Sequence, residues 1–242
     1  MKRLALLLLF LPITASAWTR ASDERIARRA VALAPPDLRL MLEKFQPEYI
    51  TGLERAEADE GSESHHFYVL SREGKLRDRI QRETFTTVAM IRKGDSMAAV
   101  AEHLGILAHF VADANNPFHT ANDDQRMPLV HDDFEQYFER RLSRFPTVFY
   151  GIDPQLTLDT FLDRMLRRSA RFYPLMVEEY YAGGERQSSS TFDDRSTAFG
   201  VASVSYSHAV TDLSNLFFLI WKQAGGDVRM AQSMRSIRVI QH

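Results

Sequence analysis

The sequence predicts an all-α protein folded as a single multi-helix domain, and three observations predict it. Apolar residues recur at spacings of three and four along most of the chain after Trp18, the runs are punctuated by capping and breaking residues, and no alternating run has the length of a strand. At 242 residues, 45% apolar and 26% charged, the chain can bury one sizeable core, and it shows neither low complexity nor an internal repeat.

The first stretch, MKRLALLLLFLPITASAW, carries Lys2 and Arg3, an apolar run of about ten residues, and then Ala15, Ser16 and Ala17 in the small-residue pattern of a cleavage site. Residues 1–17 are expected to be a signal peptide and residues 18–242 the helical domain, exported to the periplasm or secreted. An uncleaved anchor helix is the alternative, but the run is shorter than the ~20 apolar residues that a span requires, so no integral membrane segment is expected after processing. With no cysteine anywhere, an exported chain has no disulfides, and its stability must come from the core or from bound metal.

Beyond Trp18, Ile26, Ala30 and Leu33 mark one short helix and Leu38, Met41, Leu42 and Phe45 another. Ser22 or Asp23 is the expected cap, and Pro35 and Pro36 break the run. Residues 57–68, EADEGSESHHFY, have no period and read as a loop, followed by helices near 74–93 and 95–114. After a polar loop at 120–128 come helices near 130–144, 155–181 and 192–225, the last two separated by Gly183, Gly184 and the serines 188–190. The stripe Phe161, Met165, Leu166, Phe172 and Met176 reads as core packing. Without Lys2 and Arg3 the 30 basic residues fall to 28 against 32 acidic ones, a formal charge of -4, which argues against a broad grip on nucleic acid; nucleic acid remains only as a substrate.

The chemistry concentrates in HFVADANNPFHTAN, residues 109–122. His109 and Asp113 are four apart on one helix face and can close on a single ion. Asn115, Asn116 and Pro117 then end the helix and turn the chain, so that His119 can swing back toward the same cavity. His131 and Glu135 form a second pair of the same spacing. Imidazole and carboxylate without thiolate suit zinc in a catalytic rather than a structural role. The bland alternatives are surface ion pairs for the two pairs, and hydrogen-bonded core histidines for His109 and His119.

The arrangement of His109, Phe110, Asp113, Pro117 and His119 resembles the signature of the bacterial zinc-dependent phospholipase C family, an all-helical fold shared with the zinc-dependent single-strand-specific nucleases. Thr120, Ala121 and Asn122, the His131/Glu135 pair, and His66 ahead of Phe67 and Tyr68 are closer to the phospholipase branch, and Trp18 matches the tryptophan with which that family begins its mature chain. The resemblance implies two or three zinc ions. One would be held by Asp59, His66, His109 and Asp113, a second by His119, His131 and Glu135, and a third by the amine and carbonyl of Trp18 with Asp113. It further implies that Asp59 accepts a proton from the attacking water. The family's histidine from the first helix is missing here, and Asp23 is the nearest substitute, either as a ligand or as a helix cap.

His65 is read as the neighbour of a ligand, with the register open by one, His103 as facing solvent or making a cap contact, and His208 as either lining the cavity or packing. No G-x-S-x-G elbow or phosphate-cradling glycine loop offers a rival mechanism. The resemblance thus implies a zinc-dependent phosphoric diester hydrolase whose metal-activated water attacks a phosphoester, a phospholipid above all, with the protein acting as a monomer. The alternatives are a single-strand nuclease or nucleotidase on the same scaffold, and a metal-binding relative without activity.

Overall fold

A computed structural model describes residues 19–59, 61–121, 124–229 and 232–240 of the chain. The expected signal peptide and Trp18 lie outside the described residues. Helix α1 (Arg20–Leu33) buries Ile26, Ala27, Ala30 and Leu33 on one stripe and ends ahead of the two prolines. Pro36 opens α2 (Pro36–Lys44), where its missing N–H costs nothing.

Helix α3 (Gln46–Asp59) and one turn, α4 (Ser62–His65), occupy the span from which residues 57–68 were expected to form only a loop. Helix α5 (Leu76–Lys93) stops at Gly94, whose positive φ of 80° lets its N–H return to the carbonyls of Met90 and Ile91. Helix α6 (Met97–Ala114) starts under a Ser96 hydroxyl cap and is buried almost all round from Val100 onward. It is long and apolar enough to cross a membrane by length and composition, yet it is the central helix of the core.

The order continues with the single turn α7 (Pro117–Thr120), α8 (Met127–Arg141), α9 (Leu158–Ala170), α10 (Tyr173–Tyr180) and α11 (Thr197–Gln223). The expected continuous helix over 155–181 is two helices, with Pro174 in the first turn of the second, where an uninterrupted helix would need its N–H. A two-stranded antiparallel sheet was not anticipated. β1 (Thr147–Phe149) pairs with β2 (Arg238–Ile240), Val148 standing opposite Val239.

Two apolar clusters fill the interior. One lies between α3, α5, α6, α9 and the end of α11; the other is built on α8, α10, β1 and the start of α11. Between α3 and α6 the backbones come unusually near. A Cβ on Gly105 would stand 3.0 Å from the carbonyl carbon of Tyr49 and 2.9 Å from the amide nitrogen of Leu53, and Gly52 meets the backbone of Glu102 in the same way. This crossing sets the position of α6, and the last two turns of α6 carry His109 and Asp113.

Candidate metal centre

His109 and Asp113 are both fully buried, one turn apart, with His109 Nε2 3.4 Å from Asp113 Oδ2. The α6 helix ends at Asn115, and the Asn116 side chain accepts from the Phe118 N–H at 3.0 Å to start α7. That tight corner returns His119 to the cluster, where its Nδ1 donates to the His65 carbonyl at 2.7 Å and lies 3.7 Å from Asp113 Oδ1. Bonding at Nδ1 leaves His119 Nε2 facing inward, 3.0 Å from His131 Nε2 and 3.5 Å from Glu135 Oε1. Glu135 Oε1 is also 2.9 Å from His131 Nε2, and Asn116 donates to it at 3.1 Å.

One expected grouping is corrected. His65, rather than His66, faces His109 and Asp113: its Nδ1 is 2.8 Å from Asp113 Oδ2 and 3.2 Å from His109 Nε2. His66 instead stacks on His119, centroids 4.5 Å apart and rings 2° from parallel, and joins the group of His119 and His131. The cause is local: α4 ends at His65 and the chain turns extended at His66, with φ -122° and ψ 147°, so the neighbouring rings leave the backbone in different directions.

Asp23, from the first turn of α1, is buried beside His109, with its Oδ2 2.6 Å from Nδ1; the residue capping α1 is Thr19, so the reading of Asp23 as the cap does not hold. Asp59 closes α3, and its side chain lies outside the described residues, as does Trp18. The reading from sequence overlooked Glu57, two residues before Asp59, whose charge acts on both Asp23 and His109. His103 makes no cap contact; its Nδ1 lies 2.9 Å from the buried Glu83 carboxylate. His208 stacks on Tyr150 in another cavity, with Arg164, Arg168 and Asp212.

Burial and charge compete at every member of the cluster. Burial alone would raise Asp113, but the imidazoles of His109, His119 and His65 outweigh it and hold the carboxyl well below the usual range. Burial would likewise lower His109, yet Asp113 and Asp23 keep it up at about 9. For Asp23 burial wins over the attraction of His109 and the carboxyl is pushed up to about 7. Glu135 is lowered, against its burial, by His119 and His131, and His131 is raised, against its own, by Glu135.

Spacing tests whether a cation fits. Two donors about 2.05 Å from a tetrahedral zinc ion stand roughly 3.3 Å apart. The separations among His65, His109 and Asp113 are 2.8, 3.2 and 3.4 Å, and those among His119, His131 and Glu135 are 2.9, 3.0 and 3.5 Å. Asp113 Oδ1 and Asp23 Oδ1 are buried without a hydrogen-bond partner, a costly state that a nearby cation relieves. The donor chemistry and the spacing both fit a divalent ion of the zinc type in each group.

No family model and no curated protein matches the chain. Solved structures do. The alpha-toxin of Clostridium perfringens, from the avian strain SWCP, superposes with a TM-score of 0.62 at 13% identity over 86% of this chain and 65% of the toxin. The alpha toxin of Clostridium absonum superposes with a TM-score of 0.62 at 14% identity over 84% of this chain and 63% of the toxin. The chain thus spans a little under two thirds of each toxin, and at these identities the likeness establishes the fold: the helical fold of the alpha-toxins, as the sequence predicts.

Proposed function

We propose that the chain is an exported zinc-dependent phosphoric diester hydrolase of the phospholipase C type. The observation that carries this reading is the convergence of His65, His109, Asp113, His66, His119, His131 and Glu135 in one cluster, buried except at His66, whose two groups have ligand spacing. The helical alpha-toxin fold around it supports the reading, since an all-helical fold is what the resemblance to the zinc-dependent phospholipase C family implies.

When bound, zinc supplies a water acidic enough to give hydroxide near neutral pH and a positive charge for the phosphoryl oxygens. The chain's own residues prepare the place for that chemistry. Asp113 presents Oδ2 to the His65/His109 group, while its Oδ1 lies 3.7 Å from His119 Nδ1, the edge of that ring turned away from the second group. The His65 carbonyl and Asn116 hold His119 and Glu135 in place. Proton transfer from water to Asp59 is part of the proposal.

A cavity of about 560 Å³ opens beside the half-buried His66 and is lined by Glu63, Tyr68, Glu73, Gly74 and Lys75. Lys75 is engaged by Glu63 at 2.7 Å, which leaves the lining net acidic. Such a wall repels the polyanionic backbone of a nucleic acid more strongly than the single phosphodiester of a phospholipid. A panel of phospholipid vesicles, single-stranded DNA and RNA, and nucleotides, assayed with and without chelator and zinc, tests the reading. Release of phosphorylated head group and diacylglycerol, lost on chelation and restored by zinc, is expected. Hydrolysis of nucleic acid alone would transfer the chain to the nuclease branch, and full zinc loading without hydrolysis of any substrate would leave a binding protein.

A further inference from the structure

We propose that Asp23 is a positioning residue for His109, holding the back of its imidazole, and that it does not ligate the ion at His109 Nε2; the inference rests on the metal reading above. Asp23 enters from α1 and His109 from α6, elements that meet in the core, and both side chains are buried. Asp23 Oδ2 accepts from His109 Nδ1 at 2.6 Å, while the opposite nitrogen, Nε2, faces His65 Nδ1 at 3.2 Å and Asp113 Oδ2 at 3.4 Å. The two ring nitrogens point outward from different edges. A cation at about 2.0–2.1 Å from Nε2 is therefore on the far side of the ring from Asp23 Oδ2, which cannot reach it.

The same contact fixes the tautomer. A proton shared with Asp23 must sit on Nδ1, and the lone pair is then on Nε2, where a ligand needs it. It also fixes the ring, because rotation about the side chain would break the Asp23 bond. The ring is further confined by Phe110 at 5.4 Å and His65 at 5.1 Å, both edge-on. His119 repeats the arrangement with a neutral partner, Nδ1 to the His65 carbonyl and Nε2 inward. An acceptor behind Nδ1 is thus common to His109 and His119, a carboxyl oxygen in one case and a backbone carbonyl in the other.

Asp23→Asn and Asp23→Ala separate this role from ligation. An asparagine carbonyl still accepts from Nδ1 but is a poor zinc ligand, whereas alanine does neither. Zinc per chain is counted by elemental analysis after desalting, and affinity is measured by competition with a chelating dye. Asp23→Asn is expected to bind the His109 ion with affinity within a few-fold of wild type, and Asp23→Ala to bind it about 10–100-fold more weakly. Loss of the His109 ion in Asp23→Asn, read from the His109 nitrogen-15 shifts, would overturn the proposal, as would wild-type affinity for that ion in Asp23→Ala. Nitrogen-15 spectra of the zinc-loaded wild type give a check that needs no variant: His109 is expected to be protonated at Nδ1 and metal-bound at Nε2, and the reverse assignment would overturn it. A wild-type chain that retains no zinc would sink the metal reading, and this inference with it.

Discussion

Gly105→Ala probes the contact on which the placement of the centre depends. In an isolated helix the change would stabilise by about 1 kcal/mol, since alanine is the best helix former and glycine among the worst. Here the added Cβ would stand 2.9 Å from the Leu53 amide nitrogen and 3.0 Å from the Tyr49 carbonyl carbon, with that carbonyl's oxygen nearer still. Both neighbours are backbone inside α3, so no side chain can swing away. The two helices must separate, loosening Leu53, Ala56, Val100, Ala101 and Leu104, all buried at or beside this crossing. Overpacking of this kind costs about 1–3 kcal/mol and more where the backbone cannot give. With the propensity gain set against the upper part of that range, the net loss is about 2 kcal/mol, or a fall in Tm of about 4–8 °C for a chain of this size. Urea and thermal unfolding of the two proteins, zinc-loaded in both cases, measure it. An unchanged or higher Tm would refute the claim that α3 and α6 meet through their glycines.

Two further predictions concern the cavity beyond the centre. His208 is driven down to about 3 by burial and by Arg168, so below its ordinary value the unfolded chain takes up a proton that the folded chain refuses. Its stabilising effect is complete above about pH 6.5 and drains away as pH falls toward 3, about 1–2 kcal/mol by pH 5 once partial solvent exposure is allowed for. His208→Phe, which keeps the stack on Tyr150, should therefore lose less stability than wild type between pH 7 and pH 5 in urea titrations, and equal losses would count against it. Arg168 binds Asp212 and donates to Asn115 at 2.9 Å, and Asp212 is buried with its pKa raised by that burial. Arg168→Met is expected to cost about 3–5 kcal/mol by stranding the carboxylate, and adding Asp212→Leu to recover most of it; a double variant as unstable as the single would show that the ion pair is not the cause.

The centre was legible where its geometry is written in local spacing. His109 and Asp113, and His131 and Glu135, are each four apart on one helix, and Asn116 and Pro117 announce the turn that returns His119. The choice between His65 and His66 was not legible, because it depends on a helix of one turn ending between them, too short to leave a periodic trace. Glu57 was passed over for a similar reason: with no period read near residue 57, nothing indicated that it stood on a helix packed against α6, within electrostatic reach of Asp23 and His109. That helix, α3, docks through Gly52, a residue that ordinarily speaks against a helix and gains its meaning only from the partner backbone. The β1 and β2 pair joins three residues to three others some ninety positions away, and neither strand is long enough to alternate visibly.

Zinc bound per chain, measured on the wild type and on His119→Ala, tests the central claim most directly. Protein exposed to excess zinc and desalted is predicted to keep two or three ions in the wild type and one fewer in His119→Ala, with phosphodiester turnover abolished in the variant. A wild type that holds no zinc, or a variant that keeps the full complement and the full rate, would contradict it.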